Sequence, residues 1–512
     1  MGATLRPRRP QGQNGRTTKS IQKIGKSKGE ATVLDTRARD KIWPESIEAA
    51  IPSEERIADA VARLESAGVK YLFSCWIDLQ GVPKTKPVPV SELKTLCLGR
   101  GPQFGVHSVS MVPELGPADP DQIAIPDLDS LRICPWDKSI AWVFADLFFK
   151  DAPYNVCPRL VLKRQVQAAA AAGYKVLAGL EPEFMVMRYA ADGRPVKAID
   201  DDPFTAGGFR PRRQAFGYDA EFSFDGMPFL SNVMEMFGEL GWDMKNVVCE
   251  GAYSQFELDF GYTDLIGMAD RFVFLRVMLK ELAKRHGLFV TFMPKPTQGD
   301  WRNGAHINHS VQQTSRPGVN LFEAEDGGWS DYALHSLGGL IAHGGALTAL
   351  ACSTVNSYKG LIGRAAGLEG GTLTWAPTHM CYGENNRSAM FRLPQPRRAI
   401  ENRAADMCQN VYLTLAMTSA ATLEGILGKI NPGPAVTKSL YDTPATELAA
   451  SKIKRLPTNL LEAVQMFEED GLAKDVLGPT MHGMFSRLKR QEWNRFHEHV
   501  TEWERLEYLR FF

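Results

Sequence analysis

The sequence predicts an α+β protein with a small domain over 54–155 and a larger one over 156–512. Three observations carry that expectation. A helical period gives way to paired strand-like runs in the first stretch. Helices and strands then alternate to the C-terminus. The length of 512 residues, with 44% hydrophobic and 23% charged side chains, is ample for more than one core.

The elements follow in order. The first forty-one residues hold eleven Lys/Arg against three Asp/Glu and few large apolar side chains. Such a composition buries too little surface to offset its ordering entropy, so 1–50 is read as a disordered basic extension. In "PSEERIADAVARLESAGVK" Ile57, Val61, Leu64 and Val69 recur near 3.6-residue spacing, and Ser53 before two glutamates suits a capped helix start. "YLFSCWIDLQGVPKTKPVPV" (71–90) reads as two strands about a glycine turn, and "SIAWVFADLFF" (139–149) as a third strand. "CPRLVLKRQVQAAAAAGYKV" opens a helix, followed by the strand "LAGLEPEFMVMRY". A helix over 268–287 stops at a glycine. The ending "FHEHVTEWERLEYLRFF" reads as one amphipathic helix whose aromatic stripe packs on its own domain or on a neighbouring subunit.

Composition excludes several classes. A formal net charge of zero gives no electrostatic case for nucleic acid. The eight cysteines are scattered without a CxxC pair, which fits a reducing cytoplasm. No uninterrupted apolar run approaches the ~18 residues of a membrane span, so no membrane association is expected.

The chemistry-bearing residues are carboxylates and arginines. In "GLEPEFMV" Glu181 and Glu183 lie two apart, so on a strand both face one side, among apolar neighbours. Two carboxylates that close stay ionised only with a cation between them. Glu250 and Glu257 occur in "CEGAYSQFELDF", and Glu401 in "RRAIENRAAD". Asp259 is assigned to the face opposite Glu257 and given no role. "GDWRNGAHINHS" adds His306, with Asn308 on the same face and His309 on the other. Carboxylates with one imidazole suit Mg²⁺ or Mn²⁺. Arg387, Arg392, Arg397, Arg398 and Arg403 crowd into seventeen residues, and guanidinium forks bind phosphate or carboxylate bidentately. With no GxxxxGK[ST] and no strand-linked GxGxxG, a nucleotide must be held by metals and arginines.

Together "GLEPEFMV", "SQFELDF", "NGAHINHS", "NSYKG", "NNRSAMFRLP" and "ENRAADMCQNVYLTLAMTSAATLEGI" resemble the successive motifs of the glutamine synthetase family, over about 54–512. The resemblance implies a β-grasp domain over 54–155 and a catalytic domain over 156–512. It also implies stacked hexameric rings with active sites between subunits. By position, Glu183, Glu250 and Glu257 correspond to one metal site, and Glu181, His306 and Glu401 to a second. Arg387 and Arg392 correspond to phosphate-holding arginines, and Arg403 to one that holds glutamate. Asn308, Ser310 and Arg398 fall at nucleotide-contacting positions, and Gly304 at a substrate-contacting one. The implied chemistry is ATP-dependent: glutamate becomes γ-glutamyl phosphate, and an amine displaces the phosphate.

The sequence departs from the family pattern where ammonium is bound. "FGVHSVSM" (104–111) lacks the expected acid, Gly360 replaces the arginine of "NSYKR", and no glutamate falls at the flap spacing. Arg364 is the candidate replacement guanidinium and Glu369 a displaced base. An ammonium site needs anionic groups to compensate the desolvated cation. Their loss, and a resemblance to the branch making γ-glutamyl amides, points to an alkylamine or arylamine acceptor. His107, Trp301 and Trp375 are candidates to line its pocket. Trp301 and Arg302 stand where the family offers a small Asn-Gly pair. An ammonia-dependent glutamine synthetase and an inactive structural member are the alternative readings. "SLYDTPATEL" resembles the loop carrying a tyrosine that is adenylylated in some members, here Tyr441.

Overall fold

The structure, a computed structural model, describes residues 44–101, 118–199, 217–298, 300–363 and 374–512. Residues 41–512 cluster as one compact unit. The expected disorder over 1–50 does not extend to its end: Ile47–Ala50 is a helical turn capped by the Ser46 side chain. The rest of that expectation, through residue 43, lies outside the described residues.

The expected helix is Glu54–Ser66, with Ser53 accepting from the Arg56 N–H. Its apolar face, Ile57, Ala60 and Leu64, packs on Leu72, Val88 and Val143 of a mixed sheet. In that sheet the order is Pro83–Pro89, Tyr71–Ile77, Ile140–Phe149, Ile123–Pro126. Tyr71–Ile77 runs parallel to Ile140–Phe149 and antiparallel to Pro83–Pro89. At the hairpin tip Gly81 has φ +78°, and an added Cβ would lie 2.9 Å from Asn410 Cα. Only glycine permits this approach, which lets Asn410 donate to the carbonyls of Asp78 and Leu79.

A buried ion cage joins this sheet to the helices. Arg159 donates to Asp127, Asp146 and Asp270, while Lys163 bridges Asp127 and Asp146 and Tyr412 donates to Asp270. Each buried charge is paired, as its desolvation requires.

The larger sheet has ten strands and is organised on the sixteen-residue strand Tyr174–Tyr189. Ala305–Gln313 pairs antiparallel on one side and Gln255–Phe260 on the other. Ile400–Asn402 and Ala389–Leu393 extend the sheet beyond Ala305–Gln313. Leu265–Arg285 and Val411–Gly428 fill the core behind it. Val411–Gly428 is long and apolar enough to cross a membrane, but 83% of it is buried inside the fold, as for a core helix. All eight cysteines are free.

The C-terminal expectation needs correction. The ending is two helices, Pro479–His497 and Glu502–Tyr508, the second opened by a capping box between Thr501 and Glu504. That cap competes with helix continuation and breaks the run. The second helix buries none of its residues, and Leu506, Leu509 and Phe512 are exposed. Among the described residues the stripe finds no core to join.

His343 offers a stability test. Its Nδ1 lies 2.8 Å from Asp470 Oδ2, and Nε2 meets Glu424. Burial opposes its charge, but these two carboxylates outweigh burial and raise its pKa. A raised histidine contributes stability that is full below about pH 6.5 and fades as pH rises through the folded value. His343→Gln is therefore expected to cost about 1 kcal/mol at pH 6 and progressively less at alkaline pH. Thermal melts across that range check it; a cost that grows with pH contradicts the assignment.

Candidate active site

Strand register lines up the acids. Glu183 sits opposite Glu257, and Glu181 opposite His306. One strand further, Asn308 pairs with Glu401, which pairs with Arg392. Glu181, Glu183, Glu250, Glu257, His306 and Glu401 all line one cavity of about 730 Å³. Arg387, Arg392 and Arg403 share it.

The two sides of this cavity differ in charge balance. On one, Glu401 is held between Arg392 Nη1 at 2.8 Å and Arg403 Nη1 at 2.5 Å. Glu181 accepts from Arg397 Nη1 at 2.8 Å and from Asn308 Nδ2 at 3.0 Å. His306 Nδ1 lies 3.3 Å from the other Glu181 oxygen. Burial disfavours the charge on Glu181, but His306 and Arg397 prevail and bring its pKa down to about 2. Glu401 is likewise lowered, Arg403 outweighing burial. Burial, with Arg403 nearby, lowers the His306 pKa, leaving a neutral imidazole able to act as a ligand.

On the other side, burial and then the Glu250 charge push Glu183 up to about 8. Burial raises Glu250, and burial plus Glu181, Glu183 and Glu250 raises Glu257 well above the usual range. Cross-strand like charges of this kind destabilise a sheet unless something neutralises them. Glu181, Glu257 and His306 can each offer a ligand atom within 4.8 Å of the others. Hard oxygens plus one imidazole fit Mg²⁺ or Mn²⁺, and the excess negative charge is what a divalent cation would neutralise. The residues present therefore fit a divalent ion, and the group that converges, Glu181 and His306 with Glu257, draws on both ligand sets implied by the resemblance.

Asp259 requires a correction. Two residues from Glu257 on Gln255–Phe260, it shares that strand face and lines the cavity. Burial, then Glu181, raises its pKa to about 6. Its i,i+2 spacing already carried the signal.

A second cavity of about 480 Å³ contains Asn308, Ser310 and Arg398 together with Tyr262. Glu181, Asp259 and Arg397 line both cavities and so stand at their junction. Arg397 had no role from sequence beyond its place in the arginine cluster. Its neighbour Arg398 instead lies over Trp329 at 5.0 Å and donates to Gln395 and the Gly327 carbonyl.

Gly304 braces Glu183: its N–H donates to Glu183 Oε2 at 2.9 Å, and its carbonyl accepts the Glu183 N–H. A Cβ there would lie 2.8 Å from Glu183 Oε1. All three nitrogen groups of Arg403 are engaged, with Glu401, the Trp375 carbonyl and the Arg387 carbonyl. His309 is buried on the opposite face, with Nε2 3.1 Å from Thr422 Oγ1, and has a pKa lowered by burial to about 4. Arg364, Glu369, His107 and the 104–111 stretch lie outside the described residues.

The remaining wall is aromatic. Trp301, Trp375 and Tyr218 line the cavity, with Arg387 over the Trp375 ring at 5.5 Å. The Trp301 indole covers Gly251, where an added Cβ would lie 2.3 Å from the ring. Arg302 also borders the cavity, but its Nη2 donates to the carbonyls of Ala404 and Ala405, and its stem fills the space over Gly360.

Comparison with known proteins places these features in context. Residues 155–508 match the family model described as "Glutamine synthetase, catalytic domain". A glutamate–methylamine ligase of Methyloversatilis universalis is 35% identical over 89% of this chain and 99% of its own length. A glutamine synthetase of Rhizobium leguminosarum bv. phaseoli is also 35% identical, over 87% of this chain and 98% of its own. Among solved structures, a GmaS/ADP complex superposes with a TM-score of 0.79 at 33% identity, covering 88% of this chain and 99% of that one.

Proposed function

The chain belongs to the glutamine synthetase family, and from that premise we propose that it joins the γ-carboxylate of glutamate to an amine larger than ammonia. As a family member it is an ATP-dependent carbon–nitrogen ligase. The proposed reaction activates glutamate as γ-glutamyl phosphate and yields a γ-glutamyl amide, ADP and phosphate. The observation that carries the choice of acceptor is the Trp301–Trp375–Tyr218 wall beside the acid cluster. An aromatic wall favours the hydrocarbon part of an amine and gives a desolvated ammonium ion few acceptors.

In this reading Glu183, Glu250 and Glu257 hold one divalent ion, and Glu181, His306 and Glu401 a second. Bound there, the ions would neutralise charge on the transferring phosphoryl group. Asn308, Ser310 and Arg398 contact the nucleotide from the second cavity. Arg397, at the junction of the cavities, is a cation for the phosphates. Arg387 and Arg392 stabilise the phosphoryl group in flight, and Arg403 orients glutamate with Gly304. The exposed apolar side chains Trp503, Leu506, Leu509 and Phe512 support burial against another subunit, in keeping with stacked hexameric rings. The eight free cysteines support a cytoplasmic setting. The separation into two sheets, with strands within 71–153 and within 174–402, supports a β-grasp domain at 54–155 and a catalytic domain at 156–512.

The alternative is an ammonia-dependent glutamine synthetase, favoured by the similarity to the Rhizobium enzyme. Phosphate release with ATP, Mg²⁺ and glutamate separates the two. Methylamine, isopropylamine or aniline is expected to exceed ammonium in kcat/KM by at least about tenfold, a discrimination of about 1.4 kcal/mol. Ammonium as the best acceptor would favour the alternative.

A further inference from the structure

Trp375 has a backbone conformation that a tryptophan rarely adopts, with φ +58°. Such strain persists only where surrounding contacts over-determine it. The contacts here come from both sides. The Trp375 carbonyl accepts Arg403 Nη2 at 3.1 Å, and its ring lies under Arg387. The next carbonyl, of Ala376, accepts the Tyr441 hydroxyl at 2.7 Å. The Tyr441 ring covers Gly363, where an added Cβ would lie 2.5 Å from Cδ1.

The segment before Tyr441 is fastened to the neighbours of Arg387. Asn386 Nδ2 donates to the carbonyls of Val436 and Lys438, both at 2.9 Å. The Leu440 N–H donates to Ser388 Oγ at 3.0 Å. One loop therefore braces Arg387 through its flanking residues and Trp375 through Ala376. Burial, partly opposed by Arg403, pushes the Tyr441 hydroxyl up to about 12, so it remains a donor at neutral pH. That hydroxyl is engaged within the fold.

We propose that Tyr441 is a positioning residue for the acceptor pocket: by holding Ala376 it fixes Trp375 in its left-handed turn, with the indole as the pocket wall. The role rests on the amine-ligase reading and adds to it the element that sets acceptor size. Tyr441→Phe removes only the hydroxyl. Gly363→Ala keeps the hydroxyl but displaces the ring, and so tests the same brace without touching Tyr441.

The experiment measures kinetics of the full-length enzyme with ATP, Mg²⁺ and glutamate, comparing isopropylamine with hydroxylamine, which makes little use of an aromatic wall. Both variants are expected to raise the KM for isopropylamine about tenfold, the effect of losing one hydrogen bond. The hydroxylamine KM is expected to change much less, and the KM for ATP to stay unchanged. An unchanged isopropylamine KM in Tyr441→Phe, or equal changes for both acceptors and ATP, overturns the positioning role alone. Absence of phosphate release by the wild-type enzyme with either acceptor overturns the ligase reading on which the role rests.

Discussion

Glu257→Gln is expected to lower ligase activity about a thousandfold while making the metal-free protein more stable. The two effects share one cause. Glu257 lies opposite Glu183 and feels Glu181 and Glu250 as well. At neutral pH its carboxyl must either keep a proton it would lose on unfolding or bear a charge against its neighbours. Both cost folding free energy, and the amide avoids both, for a gain of about 2 kcal/mol. A divalent ion reverses the balance in the wild type by neutralising the cluster; at 100 times its Kd it adds about 2.7 kcal/mol of stability. Thermal melts in EDTA and in Mn²⁺, alongside phosphate-release assays, test both parts. A variant less stable than wild type in EDTA, or a wild-type melt indifferent to metal, would show that the carboxylates are compensated by something else.

The second large effect concerns Gly360. Supplying an arginine there would match the "NSYKR" pattern, yet Gly360→Arg is expected to destabilise this protein by about 3 kcal/mol. An added Cβ would lie 2.7 Å from the Arg302 Cβ, and the Arg302 stem already fills the space. Arg302→Gly alone is also costly, because Asp406 is fully buried and Arg302 is its principal opposing charge. Arg302→Gly with Gly360→Arg is expected to lose less than the sum of the two, since each change makes room or charge for the other. Chemical denaturation of the two single variants and the double variant gives the coupling energy. Additive losses would mean that the two positions are independent.

Periodicity went a long way with this chain. The Ser53 cap, the 71–90 hairpin and the Glu181–Glu183 spacing all follow from local rules of backbone geometry, and each is present. Asp259 is legible by the same i,i+2 rule, which places it on the Glu257 face and not on the opposite one. The C-terminal break was also legible, in the Thr501–Glu504 capping pair. What could not be read locally were contacts between segments far apart in the chain. Two adjacent arginines, 397 and 398, look alike in the sequence, yet one meets Glu181 and the other lies over Trp329. Neither lies in a strand, and only the folded course of the loop joining Ala389–Leu393 to Ile400–Asn402 distinguishes them.

By itself, then, the sequence determined which residue types were available and which face of each strand carried them. It supplied the carboxylates, the imidazole and the arginines, in an order matching one family. The tertiary structure decided how their charges balance: arginines compensate Glu181 and Glu401, while Glu183, Glu250 and Glu257 are crowded and opposed. It also turned Arg302 into the gap over Gly360 and made Trp301 and Trp375 into a pocket wall. The reason is physical. Side-chain direction along a strand is a local property, but electrostatic balance and pocket shape depend on groups brought together from distant parts of the chain.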